Sequence, residues 1–326
     1  IKKKEELIIV DTLLEEGLND GDLPHLCLDK TLLMNSGHDA FGPKDLDDVL
    51  TSVRRAKRKL NKLSVMFNGT GGQGIGSFIA KDSTVREVTL LCERLSNDSV
   101  QSLAEALGTN RTVTKILLGG KELQDHAAGN LGRALKATSS LQHLTLFNCG
   151  FRDIGAELLA SGLSANTTLR RLDLTHCGIG GDGAAAISRA VQRHPTLAYL
   201  NLKNNDVGAR GSAALADALR GNFVVLELIL GSNCVGNGGA SALASAISVN
   251  TTLAYLDLGA NGISDNGGVA FAEGLARNAS LRHLDLRTNA IGQDTCERVR
   301  VGWSERNAKR SMQLGQPWHD GLSLPF

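Results

Sequence analysis

The chain has 326 residues, and 35 lysines and arginines against 34 aspartates and glutamates leave a formal net charge of +1. So balanced a surface makes no global field to draw nucleic acid or an anionic membrane, and neither is an expected partner. No apolar run approaches about 18 residues and no charged-then-apolar leader opens the chain, so neither membrane insertion nor export is expected. The first residue is Ile1 and not Met, which leaves room for a preceding domain or signal.

In chain order, KKKEELIIVDTLLEE at 2–16 reads as an N-terminal capping helix within a cap spanning 1–22. Two irregular units follow over 23–84. Their strands are LPHLCLDKT at 23–31 and LNKLSVMFN at 60–68, and the stripe Leu46, Val49, Leu50, Val53 and Leu60 marks a helix over 46–60 between them. The basic run VRRAKRKLNK falls mainly off that stripe, so a solvated helix face is preferred to a nucleic-acid patch. GTGGQG at 69–74 satisfies the dinucleotide-loop spacing, yet it sits where later units carry an Asn-Gly turn, and no βαβ crossover places the acidic residue a ribose would need. No cofactor and no metal is expected, and no catalytic constellation is visible.

From Val85 the chain repeats every 28 residues. The first position of the phrase falls on Val85, Val113, Leu141, Leu169, Leu197, Val225, Leu253 and Leu281 with no insertion or deletion, and LAYLNLKNN at 197–205 returns as LAYLDLGAN at 253–261. Ten residues after each start stands an apolar residue (Leu95, Leu123, Phe151, Ile179, Val207, Val235, Ile263, Ile291), and so does eighteen after (Leu103 through Phe271 and Val299). Within the phrase, alternating apolar residues fit a short strand with one buried face. After it, Ile154, Leu158, Leu159 and Leu163 give one apolar helical stripe. Small residues recur in two helix columns, Gly155 to Gly267 and Ala106 to Gly274, where neighbouring helices must lie close. A period of this length marks a solenoid. Helices are about 10 Å wide and strands about 4.8 Å apart, so stacking such units bends a parallel sheet into the inside of an arc. The expected fold is α/β, a horseshoe of ten strands, with regular repeats over 85–292 and a C-terminal cap over 293–326. That cap has a helix over Cys296–Arg310, and its tail from Gly315 breaks the pattern.

The phrases LRRLDLTHCGIGGDGAAAISRAV (169–191), LAYLNLKNNDVGARGSAALADAL (197–219) and LAYLDLGANGISDNGGVAFAEGL (253–275) resemble leucine-rich repeats of the ribonuclease-inhibitor type. Similar repeats belong to the sensing domains of NOD-like receptors, ciliary leucine-rich-repeat proteins and the Ran GTPase-activating protein. The resemblance implies the horseshoe fold and is almost silent about the partner. The expected location is cytoplasmic, with cytoskeletal or ciliary placement as a refinement. The Ran activator family carries a strongly acidic C-terminal tail, whereas this chain ends SMQLGQPWHDGLSLPF.

Cys149 and Cys177 occupy the column filled by Asn205, Asn233, Asn261 and Asn289, so they read as buried free thiols in a reducing compartment. The sequon-like Asn110, Asn166, Asn250 and Asn278 share one place before the next strand and read as a repeated polar turn. Functional letters are sought among the strand residues that face out of the core. These are His143, Phe147, Arg171, Asp173, Tyr199, Asn201, Lys203, Glu227, Tyr255, Asp257, His283, Asp285 and Arg287, which vary while the inward leucines do not. Both tyrosines of the chain stand in one such column, and amphipathic aromatics and arginine are the usual anchors of protein interfaces. The expected function is a non-enzymatic scaffold holding a protein partner on the concave sheet, as a subunit of a larger assembly. The alternatives are a small-GTPase activator and the sensing domain of a NOD-like receptor.

Overall fold

The computed structural model describes residues 23–29, 50–51, 59–67, 73–92, 97–121, 123–314 and 322–325. The helix expected over 2–16, most of that over 46–60, the first six residues of the basic run and the first four of GTGGQG lie outside them; Gln73 and Gly74 begin a helix, and the expected helix over 46–60 stops short of its end, because Leu60 opens a strand and pairs with Leu23. Strands β1 (Leu23–Asp29) and β2 (Leu60–Phe67) come first, followed by α1 (Gln73–Lys81), β3 (Glu87–Cys92), α2 (Asn97–Thr109), β4 (Lys115–Gly119) and α3 (Asp125–Ala137). Next are β5 (His143–Phe147), α4 (Arg152–Leu163), β6 (Arg171–Asp173), α5 (Gly181–Gln192), β7 (Tyr199–Asn201), α6 (Gly208–Gly221) and β8 (Glu227–Ile229). The chain closes with α7 (Gly236–Ile247), β9 (Tyr255–Asp257), α8 (Asp265–Arg277), β10 (His283–Asp285), α9 (Gln293–Leu314) and β11 (Leu322–Ser323).

The described strands form one parallel sheet in sequence order, and each described helix packs on its described neighbours in the chain. The ten expected strands are all present. The eleventh, β11, corrects the reading of the tail as a break in the pattern. Leu322 and Ser323 pair with Leu284 and Asp285, and the Ser323 carbonyl accepts the Leu286 N–H at 2.7 Å. A two-residue strand is too short to show periodicity, yet it covers an edge that would otherwise present unpaired backbone groups. Helix α9 extends beyond the expected Cys296–Arg310 at both ends.

Count positions from the first residue of each phrase as zero. Positions 3 and 5 (Leu172 and Leu174, Leu256 and Leu258) are fully buried, as are the described members of positions 10 and 18. The helix stripe differs from expectation in one respect. Ile154 and Leu158 are 62 % and 43 % exposed, while Gly155, Ala156, Leu159, Ala160, Gly162 and Leu163 carry the buried face of α4. Spacing of three to five residues is shared by neighbouring stripes of one helix, and only the small residues show which stripe meets the next helix. They do so because there is no room for more: a methyl group at Gly274 would stand 2.5 Å from the Ala244 carbonyl oxygen, and at Gly211 2.8 Å from the Ala184 methyl.

Both ends of β8, β9 and β10 are stitched to the preceding repeat by a side-chain amide, and the other repeats vary the device. At position −3, Asn250 Oδ1 accepts the backbone N–H groups of Thr252 and Leu253 at 3.0 and 2.7 Å, while Nδ2 donates to the carbonyls of Leu219 and Asn222 at 2.8 and 3.0 Å. Asn110 and Asn278 make the same four bonds, and Asn166 and Asn222 accept the same pair while donating to the carbonyl thirty-one residues back. All but Asn222 are the sequon-like asparagines, and their burial makes the turn an interior one, closed to a glycan. At position 8, Asn205, Asn233, Asn261 and Asn289 likewise donate to the carbonyl thirty-one residues back. Cys149 and Cys177 aim their thiols at the equivalent carbonyls of Leu118 and Leu146, are fully buried and are free, as expected from their column. Burial, with the neighbouring Cys149 thiol second, drives the Cys177 thiol far above its ordinary value, so it stays protonated and donates.

Position −3 holds a histidine once. His194 Nδ1 accepts the N–H groups of Thr196 and Leu197 at 3.4 and 3.1 Å, but its buried Nε2 has no hydrogen-bond partner. Burial lowers its pKa, and accepting through Nδ1 requires the neutral ring. A depressed histidine contributes stability above its unfolded value, near 6.5, which is lost as pH falls below it. His194→Asn restores the amide and lets Nδ2 reach the Leu163 carbonyl. Thermal and urea unfolding should show the variant more stable by about 1 kcal/mol at pH 7, with a larger margin at pH 5. Equal pH dependence in the two proteins would refute this account of His194.

Candidate functional site

The concave face consists of positions 2, 4 and 6, whose side chains alternate with the buried leucines. Register aligns position 2 across the sheet as Lys62, Glu87, Lys115, His143, Arg171, Tyr199, Glu227, Tyr255 and His283. Neighbours in this row meet in pairs. Lys115 Nζ lies 2.6 Å from Glu87 Oε1, and that bond holds the Glu87 carboxyl below its ordinary range. The Arg171 guanidinium lies over the Tyr199 ring, 3.6 Å from its centroid. Tyr255 and His283 stack with centroids 4.5 Å apart and planes 4° from parallel. Burial, and then the charge of Asp173 or Asp257, raises the phenol pKa of Tyr199 and Tyr255, so both rings remain neutral. Burial and then the positive Lys115 and Arg171 lower that of His143.

Position 4 serves the fold as well as the face. Asp173, Asn201, Asp257 and Asp285 each use Oδ1 to accept the backbone N–H two residues on, at Thr175, Lys203, Gly259 and Arg287, closing an Asx turn over the strand end. Asn201 Nδ2 also donates to Asp173 Oδ2 at 2.9 Å. These strands span three residues, whereas β4 and β5, with Leu117 and Thr145 at position 4, run for five. Strand β8 is equally short with Ile229 there, and no local bond accounts for it. Asn201 and Asp285 are only 8 % and 5 % exposed, which the sequence pattern did not reveal. Lys203 and Arg287 stand exposed at position 6, and Arg287 Nε reaches both Asp285 oxygens at 3.0 Å.

Phe147 is 46 % exposed at position 6 of β5. Two apolar residues absent from the expected site accompany it, exposed Leu91 on β3 and part-buried Leu117 on β4. Their signal was in the sequence, as leucines written in solvent-facing columns. The face therefore divides: a half over β3 to β6 with the exposed apolar Leu91 and Phe147, and a half over β7 to β10 holding both tyrosines, Glu227, Asp257 and Asp285 beside Lys203 and Arg287. Among the described residues no group of three or more His, Cys, Asp or Glu side chains is disposed to hold a metal ion, and no helix is long and apolar enough to cross a membrane.

Five segments, 165–188, 193–216, 221–244, 249–272 and 277–294, match the family model described as Leucine Rich repeat. Together with the one-strand, one-helix unit stacked in a continuous parallel sheet, they define a leucine-rich-repeat protein. No curated protein matches the sequence. Among solved structures, the chain is similar to actin-binding site 2 of leiomodin-1, at 17 % identity over 50 % of this chain and 79 % of that one, with a TM-score of 0.33. It is also similar to a chain of the Rad7–Elc1 complex of yeast (15 %, 82 % and 77 %, TM-score 0.41) and to TLR13 in complex with ssRNA13 (15 %, 73 % and 34 %, TM-score 0.43).

Burial raises the pKa of Asp285, but the Arg287 side-chain bond, its backbone N–H and its charge outweigh this and hold the carboxyl below its ordinary range. A depressed carboxylate contributes stability above its unfolded value, near 3.9, which is lost as pH falls through the folded one. Asp285→Ala should therefore destabilise by about 1–3 kcal/mol at pH 7, because it removes the part-buried acceptor of the Arg287 N–H. Urea unfolding should show the difference shrinking below about pH 4; a constant difference down to pH 3 would mean that the charge plays no part.

Proposed function

We propose that this chain is a non-enzymatic protein-interaction scaffold of the ribonuclease-inhibitor type that holds a protein partner across its concave sheet, as a cytoplasmic subunit of a larger assembly. One observation carries the reading. The chain's only two tyrosines rise from a single row of the concave face, part-buried and each held by a stacked neighbour. A ring immobilised before binding loses little entropy when a partner covers it, and tyrosine offers both apolar area and a hydroxyl. Charged groups of both signs and the exposed Phe147 extend the surface along the same sheet.

The test uses the full chain and the protein that it retains on affinity purification. Replacing Tyr199 and Tyr255 together with Ala should leave the melting temperature within about 2 °C, since both project from the groove face. Partner affinity should weaken at least tenfold, about 1.4 kcal/mol, if the rings are anchors. Leu256→Ala, on the buried side of the same strand, should instead cost about 2–5 kcal/mol of stability. Unchanged affinity in the double variant would place the partner on the helices, loops or termini.

A further inference from the structure

The row that carries the tyrosines has an internal order. Glu227 stands between Tyr199 and Tyr255, paired in register with each. Strands lie about 4.8 Å apart, so the two tyrosines are about 10 Å from each other at the backbone, and side chains on the inside of an arc converge toward their tips. Arg171 covers Tyr199 from the strand on the side away from Glu227, and His283 covers Tyr255 from the opposite outer strand. The ring faces left over are those that look at each other across the Glu227 carboxylate.

That carboxylate joins none of the salt bridges among the described residues, and neither does that of Asp257 beside it. Asp257 commits Oδ1 to the Gly259 N–H. Its Oδ2 is kept open by Gly231, where a methyl group would stand 3.0 Å away. Two neutral rings and two carboxylates thus adjoin on three neighbouring strands; of the nearby cations, Arg171 lies on the outer face of Tyr199, the Arg287 guanidinium is committed to Asp285, and Lys203 stands exposed at position 6, just past β7. A cation over a tyrosine face is attracted by the ring quadrupole, more strongly once desolvated. Arg171 already demonstrates that contact on the outer face of Tyr199.

Resting on the concave-face reading above, we propose that Tyr199, Glu227 and Tyr255 form a receptor for one cationic side chain, arginine or lysine, of the partner protein. The cation lies between the two rings with its charge on Glu227 and Asp257. The partner segment is accordingly basic where it crosses β7 to β9.

A phage-displayed library of random peptides, selected on the full chain, provides the probe. Enriched peptides should share an arginine or lysine, and replacing it with alanine should weaken binding at least tenfold to the native chain but less than threefold to Glu227→Gln. Because the chain holds only two tyrosines, ring-labelled tyrosine gives two sets of ring signals in NMR spectra, and both should shift with the peptide. Peptides that shift both rings but bind equally well without the cation overturn the receptor and leave the concave-face reading standing. Peptides that shift neither ring and bind the Tyr199→Ala, Tyr255→Ala double variant as tightly as the native chain overturn both. A selection that enriches nothing overturns the receptor.

Discussion

The arrangement depends on buried backbone groups at the two ends of every strand. Stacking repeats removes these turns from water, and an unpaired buried N–H or C=O costs about 1–3 kcal/mol. One short side chain with an acceptor and a two-proton donor can serve N–H groups of its own repeat and a carbonyl of the preceding one. Asparagine is the smallest residue that does both. Its amide therefore works as a staple between repeats, at position −3 before each strand and at position 8 after it. The substitutions grade themselves by the same chemistry. Cysteine keeps the donor, Thr138 keeps a long acceptor, and His194 keeps a good acceptor with an idle donor.

Because the staples fix the distance between repeats, every other position acquires a fixed address. Leucines at positions 3 and 5 build the wall, and small residues in the helices let the wall close. The concave columns inherit exact in-register neighbours twenty-eight residues away, so side chains that are remote in sequence become stacking partners, as Arg171 does with Tyr199 and Tyr255 with His283. Position 4 shows how a variable column can still be constrained. Its carboxylates and amide cap the strand with one oxygen, and only what remains faces the groove.

The two halves of the concave face differ in chemistry for a simple reason. The scaffold leaves these columns free, so nothing in the fold forces repeats to agree there. Apolar letters collect in the first half and tyrosines with acids in the second, which gives the face a direction that a symmetric stack of identical repeats would lack.

The period, the strand phrase, the buried columns and the concave rows were legible in the sequence, because a solenoid turns tertiary position into a simple count. Ten strands, the free buried thiols of Cys149 and Cys177, and the close helix contacts at glycine and alanine followed from that count alone. It failed where a property depends on an object outside the repeat or on a competition between neighbours. Strand β11 is too short to have a pattern and exists only because β10 has an open edge. The exposure of Ile154 and Leu158 was decided by which stripe of α4 the adjacent helices could approach. The burial of Asn201 and Asp285, and the pairing of Arg171 with Tyr199 and of Tyr255 with His283 on either side of Glu227, arose from contacts across strands. Composition and spacing fix what each residue is and which face it leaves from; only the folded neighbours decide how much of it water still reaches and what it holds.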